Sequence, residues 1–118
     1  MYKFYNANSR GKFVNDCVVR AISVAERKDW DETYEELSDL AQEQGILLDD
    51  VNFVEPLLDS RYKRICTRNM TVGQFVDEHP YGTYLITMDG HITCCIKGTV
   101  IDIFDCRNRI MKCAWIVN

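Results

Sequence analysis

No hydrophobic run in this sequence approaches the ~20 residues that a membrane-spanning helix needs. Basic charge is also scarce. Lys and Arg number 14 against 18 Asp and Glu, a net charge of −4, and they are scattered rather than gathered into a stripe. That argues against a nucleic-acid partner. The opening M-Y-K-F-Y-N-A-N-S-R lacks the apolar core of a signal peptide, so the chain reads as cytoplasmic. Repeats, low-complexity tracts and Pro/Gly/Ser linkers are absent, and 118 residues suit one core, so residues 1–118 read as a single domain. Among the six cysteines, Cys17, Cys66, Cys94, Cys95, Cys106 and Cys113, there is no Cys-x-x-Cys pair, which argues against a metal site. Without a secretion signal the thiols are expected to be reduced, and the adjacent Cys94 and Cys95 suit an apolar strand. There are only two histidines, so any chemistry that needs an imidazole has two candidates.

What is present divides into helices followed by strands. Residues 1–15 read as an ordered loop with one short extended piece. A first helix is expected over Cys17–Lys28, capped by Asn15 or Asp16. Val18, Val19, Ala21, Ile22, Val24 and Ala25 cover most of its circumference, which implies burial on nearly all sides. A second helix starts at Asp29 with a cap-box partner in Glu32, carries the stripe Tyr34, Leu37, Leu40, Ala41, and stops at Gly45. Its acidic residues read as a solvated face. A third helix is expected over Asn52–Arg61 with Asn52 as cap, and a short fourth over Thr71–His79 with Thr71 and Gln74 as its box and Pro80 beyond. The period then changes to strands: Thr83–Met88, a turn at Asp89-Gly90, His91–Ile96, a two-residue loop at Lys97-Gly98, Thr99–Phe104, and a last strand Cys113–Val117. The class is therefore α+β, with helices packed on a C-terminal antiparallel sheet.

Cys17 heads the buried helix. The free N–H groups of a helix N-terminus favour a thiolate and can hold an oxyanion formed by its attack on a carbonyl. Such a thiol needs an imidazole base and a group to orient it. His79, just before Pro80, reads as an exposed helix-end residue. His91 begins a strand after Gly90, which would leave the ring accessible. With Lys97-Gly98 as the loop, Ile96 pairs with Thr99 and Asp102 lies opposite Thr93, so His91 and Asp102 become diagonal neighbours on one face. Asp105 serves instead if a bulge shifts the register by one.

These segments, N-D-C-V-V-R-A-I and G-T-Y-L-I-T-M-D-G-H-I-T-C-C-I-K-G-T-V-I-D-I-F-D, resemble the papain-like cysteine peptidase superfamily. The similarity is greatest to short Cys-His-Asp proteins of bacteria and phages, related in outline to bacteriocin-leader peptidases and transglutaminase-like folds. The resemblance implies a papain-like core and a thiol hydrolase acting on a peptide, isopeptide or amide bond of a peptide or protein substrate. It implies Cys17, His91 and Asp102 (or Asp105) as the triad, and no cofactor. Papain-like peptidases usually carry an oxyanion-hole Gln six residues before the cysteine. That position is Gly11 here, so Asn15 or Asn8 is the substitute, beside the Cys17 N–H. The competing reading is a catalytically degenerate papain-like fold that serves as a protein-binding module.

Overall fold

The computed structural model describes residues 1–118. In chain order the elements are β1 (Tyr2–Phe4), α1 (Cys17–Glu26), α2 (Trp30–Gln44), α3 (Val51–Arg61) and β2 (Lys63–Cys66). They continue with α4 (Val72–Glu78), β3 (Thr83–Met88), β4 (His91–Ile96), β5 (Thr99–Asp102) and β6 (Met111–Ile116). Four helices pack on one six-stranded sheet of order β1-β5-β4-β3-β6-β2, an α+β fold. No helix is long and apolar enough to cross a membrane.

The sheet is mixed, not antiparallel, and it is not confined to the C-terminal half. β1 joins one edge parallel to β5, and β2 joins the other edge antiparallel to β6. The period-2 alternation of its strands divides the core. Leu85, Ile92, Cys94 and Trp115 face α1, α2 and α3. Ile86, Cys95, Val100 and Ala114 face α4, where Phe75 and Val76 cover them. Cys94 and Cys95 thus fill opposite layers, each fully buried.

The β4–β5 hairpin has the expected register, with Ile96 opposite Thr99. Lys97 and Gly98 both take positive φ (49° and 74°), the backbone of the two-residue turn that matches strand twist. β5 ends at Asp102 rather than Phe104 because the chain turns away, while Tyr2 Oη and the Tyr5 N–H both donate to the Asp102 carbonyl.

Several local expectations need correction. α1 stops at Glu26, where Arg27 adopts a left-handed cap. Asp16 is its N-cap residue, yet no side chain caps it, because the Asp16 carboxylate is bound elsewhere. On α2 Tyr34 is exposed, and Trp30 and Thr33 join Leu37 and Ala41 on the buried face. α3 is capped by Asp50, whose Oδ1 accepts the Asn52 N–H at 2.8 Å, so Asn52 lies inside the helix. Asp29 does cap α2, and Thr71 and Gln74 do form a reciprocal box on α4.

The expectation of reduced thiols fails at one pair. Cys66 and Cys113 are joined in a disulfide, because the β2–β6 register sets them directly opposite each other. Cys17, Cys94, Cys95 and Cys106 are free.

Candidate active site

α1 places Cys17 at its first position, half-buried against the start of β4. A first-turn N–H has no intrahelical acceptor. With no side-chain cap on α1, the N–H groups of Cys17, Val18 and Val19 stay available to an anion. The helix lies against β4, which begins with His91.

His91 Nε2 and Asp102 Oδ2 are 2.7 Å apart, and both side chains are almost wholly covered, at 7% and 4% exposure. The imidazole is therefore not left open by Gly90 as the sequence suggested. Phe104 packs on it with ring centroids 4.7 Å apart. The second oxygen of the carboxylate, Oδ1, accepts the Ile103 N–H at 2.7 Å and Arg20 Nη1 at 3.2 Å.

Electrostatics follows from these contacts. Burial by itself pushes the Cys17 thiol up, but His91, the Ile92 N–H and the charge of Arg20 reverse this and hold it below the ordinary thiol range. Burial likewise disfavours imidazolium. Asp102, Cys106 and Cys17 outweigh it, so His91 is pushed up to about 11. Burial would raise the Asp102 carboxyl, yet His91, Thr93 and the Ile103 N–H keep it below the usual carboxylate range. Each shift favours the charged form of its group: the thiol ionises more easily, the imidazole holds its proton and the carboxyl releases its own.

The other candidates are placed as follows. Asp105 is exposed and accepts Arg107 Nε at 2.9 Å and Nη2 at 2.8 Å, so its carboxylate is engaged away from the imidazole. Asn8 is buried, and its Nδ2 donates to Asp16 Oδ2 at 3.1 Å, which removes it as an oxyanion donor. Asn15 is exposed and lines the groove that holds Cys17 and His91. His79 stacks on Phe75 with Nδ1 2.7 Å from the Phe75 carbonyl, a structural role rather than an exposed one.

The groove over Cys17 and His91 measures about 350 Å³ and is bordered by Asp49, Glu55, Asp89 and Lys112. On the inner side, the donor atoms of His91, Asp102 and Cys106 lie within 4.8 Å of one another, the one group whose spacing approaches a metal site. Those donors are committed: His91 and Asp102 bond each other, and Arg20 brings a positive charge to the carboxylate, which opposes a dication.

Residues missed in the sequence were Asp16 as an acid, Arg20, Trp30 and Cys106. Asp16 and Arg20 carried a readable signal, an acid and a base at i,i+4 on one helix. Cys106 carried none, because a loop brings it to the imidazole. No family model, curated protein or solved structure matches the chain.

Proposed function

We propose that the protein is a thiol hydrolase with a papain-like core, acting on a peptide, isopeptide or amide bond. The observation that carries this reading is the 2.7 Å bond from His91 to a buried carboxylate, in the same groove as a thiol at the first position of a helix without a side-chain cap.

In this reading the Cys17 thiolate attacks the carbonyl carbon of the scissile bond. The carbonyl π electrons move to oxygen, and the oxyanion takes hydrogen bonds from the first-turn N–H groups of α1 and from Asn15. Imidazolium at His91 gives its proton to the leaving nitrogen as the C–N bond breaks, which leaves a thioester on Cys17. A water molecule then attacks the thioester carbon while neutral His91 takes its proton. The C–S bond breaks, thiolate returns, and the carboxylic acid departs. Asp102 holds the ring orientation throughout and stabilises its charged form.

The test is trapping. A peptide chloromethyl ketone or aldehyde should label Cys17 one-to-one, with the adduct located by peptide mass mapping, and a peptide-amide library should yield turnover. Failure of every electrophile to label Cys17 in the folded protein would leave the binding-module reading in its place.

A further inference from the structure

The site holds more buried charge than a thiol, a base and an acid require. Asp16, Arg20 and Asp102 are 8%, 7% and 5% exposed. Buried ions persist only when paired, and Arg20 pairs with both acids, through Nε to Asp16 Oδ1 at 2.7 Å and Nη1 to Asp102 Oδ1 at 3.2 Å. The remaining oxygen of Asp16 accepts Trp30 Nε1 at 2.9 Å and Asn8 Nδ2 at 3.1 Å. Two carboxylates and one guanidinium leave one negative charge beside His91, and it favours an imidazolium there.

The contacts also fix direction. A carboxylate held only by an imidazole can rotate. Here Oδ1 is taken by Arg20 and the Ile103 N–H, so Oδ2 alone is presented to His91. The other end of Arg20 grips Asp16, which directly precedes Cys17. We propose that Arg20 is a positioning residue: by bridging Asp16 to Asp102 it locks the chain entering the nucleophile and the carboxylate that orients the base into one frame. The purpose of that frame rests on the thiol-hydrolase reading, but its effect on His91 is measurable without any substrate.

Charge alone and positioning predict opposite signs. The groups facing His91 are Cys17 from α1, Asp102 from β5 and Cys106 from the loop that follows, and Arg20 stands behind Asp102. Across the groove stand Asp49, Glu55, Asp89 and Lys112. Removing Arg20 deletes a nearby cation, which by itself makes imidazolium easier to keep. If Arg20 orients Asp102, its loss also breaks the short Nε2–Oδ2 bond, and His91 releases its proton more easily.

The experiment follows the imidazole nitrogens of His91 by NMR across pH in the wild type, Arg20→Gln and Arg20→Lys, with circular dichroism confirming the fold. We expect the His91 midpoint to fall by about one unit or more in Arg20→Gln. A smaller fall is expected in Arg20→Lys, whose ammonium keeps the charge but lacks the fork. An unchanged or raised midpoint in a folded variant overturns the proposal. Should Arg20→Gln not fold, Arg20→Lys carries the test with the same two outcomes. A wild-type Cys17 that no electrophile labels would sink the hydrolase reading, while the Arg20 proposal would still stand or fall on the His91 midpoint.

Discussion

His91 Nε2 reaches Asp102 Oδ2 across eleven residues of chain at 2.7 Å, a contact made by the parity of one two-residue hairpin loop. With that loop the carboxylate falls diagonally across from the ring. One residue more or less would turn it to the opposite face.

The first prediction follows from this contact. Asp102→Ala should lower turnover by about 10²–10⁴-fold, because the ring loses its tautomer and its charge partner, and should also cost stability, because Arg20 and His91 lose a buried counter-charge. Asp105→Ala should change turnover little, since Asp105 bonds only to Arg107 in an exposed turn. Steady-state rates for both variants, on a substrate from the amide library, decide it. A crippled Asp105→Ala beside a normal Asp102→Ala would reverse the assignment.

The two asparagines should separate by phenotype. Asn8→Ala removes a buried donor from Asp16 and should destabilise the fold by about 1–3 kcal/mol, read from urea melts. Asn15→Ala, at an exposed position, should move stability by less than about 0.5 kcal/mol. Its turnover should nevertheless drop by about 10²-fold, the loss of one oxyanion donor. Equal effects of the two variants on stability would contradict the placement.

The disulfide gives a chemical count. Denatured without reductant, the chain should take up four alkylating groups, on Cys17, Cys94, Cys95 and Cys106, and six after reduction. Cys66→Ser should cost about 2–4 kcal/mol, because the bridge closes a loop of 47 residues in the unfolded chain. Mass spectrometry reads the first claim and urea melts the second. Six groups without reductant would refute the bridge.

Stability against pH should show an offset pair of slopes. His91, raised to about 11, contributes stability that is fully present below the unfolded value of about 6.5 and is lost as pH rises toward 11. Cys17, lowered, contributes stability that is present above the ordinary thiol value and is lost as pH falls through its folded value. Between the folded Cys17 value and about pH 8.5 the two slopes oppose each other, so there the wild-type melting temperature should fall less steeply with pH than that of Cys17→Ala. In Cys17→Ala the fall should begin near about pH 6.5. Identical profiles for wild type and variant would contradict a thiolate–imidazolium pair.

How much of this was legible depends on how local each signal is. The hairpin register, the caps at Asp29 and Thr71, and the burial of α1 rest on a few neighbouring residues, and they were readable. β1 and β2 were not. Y-K-F and K-R-I-C are short edge segments without alternation, and each exists because a distant strand accepts it. The disulfide was hidden for the same reason, since Cys66 meets Cys113 only through the β2–β6 pairing. Asn52 read as the cap of α3 because Glu55 stands three residues on, but Asp50 takes that place and its side chain accepts the Asn52 N–H. Arg20 is hidden within an apolar run, although Asp16 four residues earlier offers it a partner.

The central claim is that His91 holds the Cys17 thiol below its ordinary range. Its most direct test is the rate of iodoacetamide alkylation at Cys17 from about pH 5 to 9, in native wild type, native His91→Ala and the urea-unfolded chain. The account predicts that native Cys17 keeps reacting well below about pH 8.5, where the unfolded thiol has slowed, and that His91→Ala moves the native curve up toward the unfolded one. A native curve that coincides with the unfolded curve, or one that His91→Ala leaves in place, would contradict it.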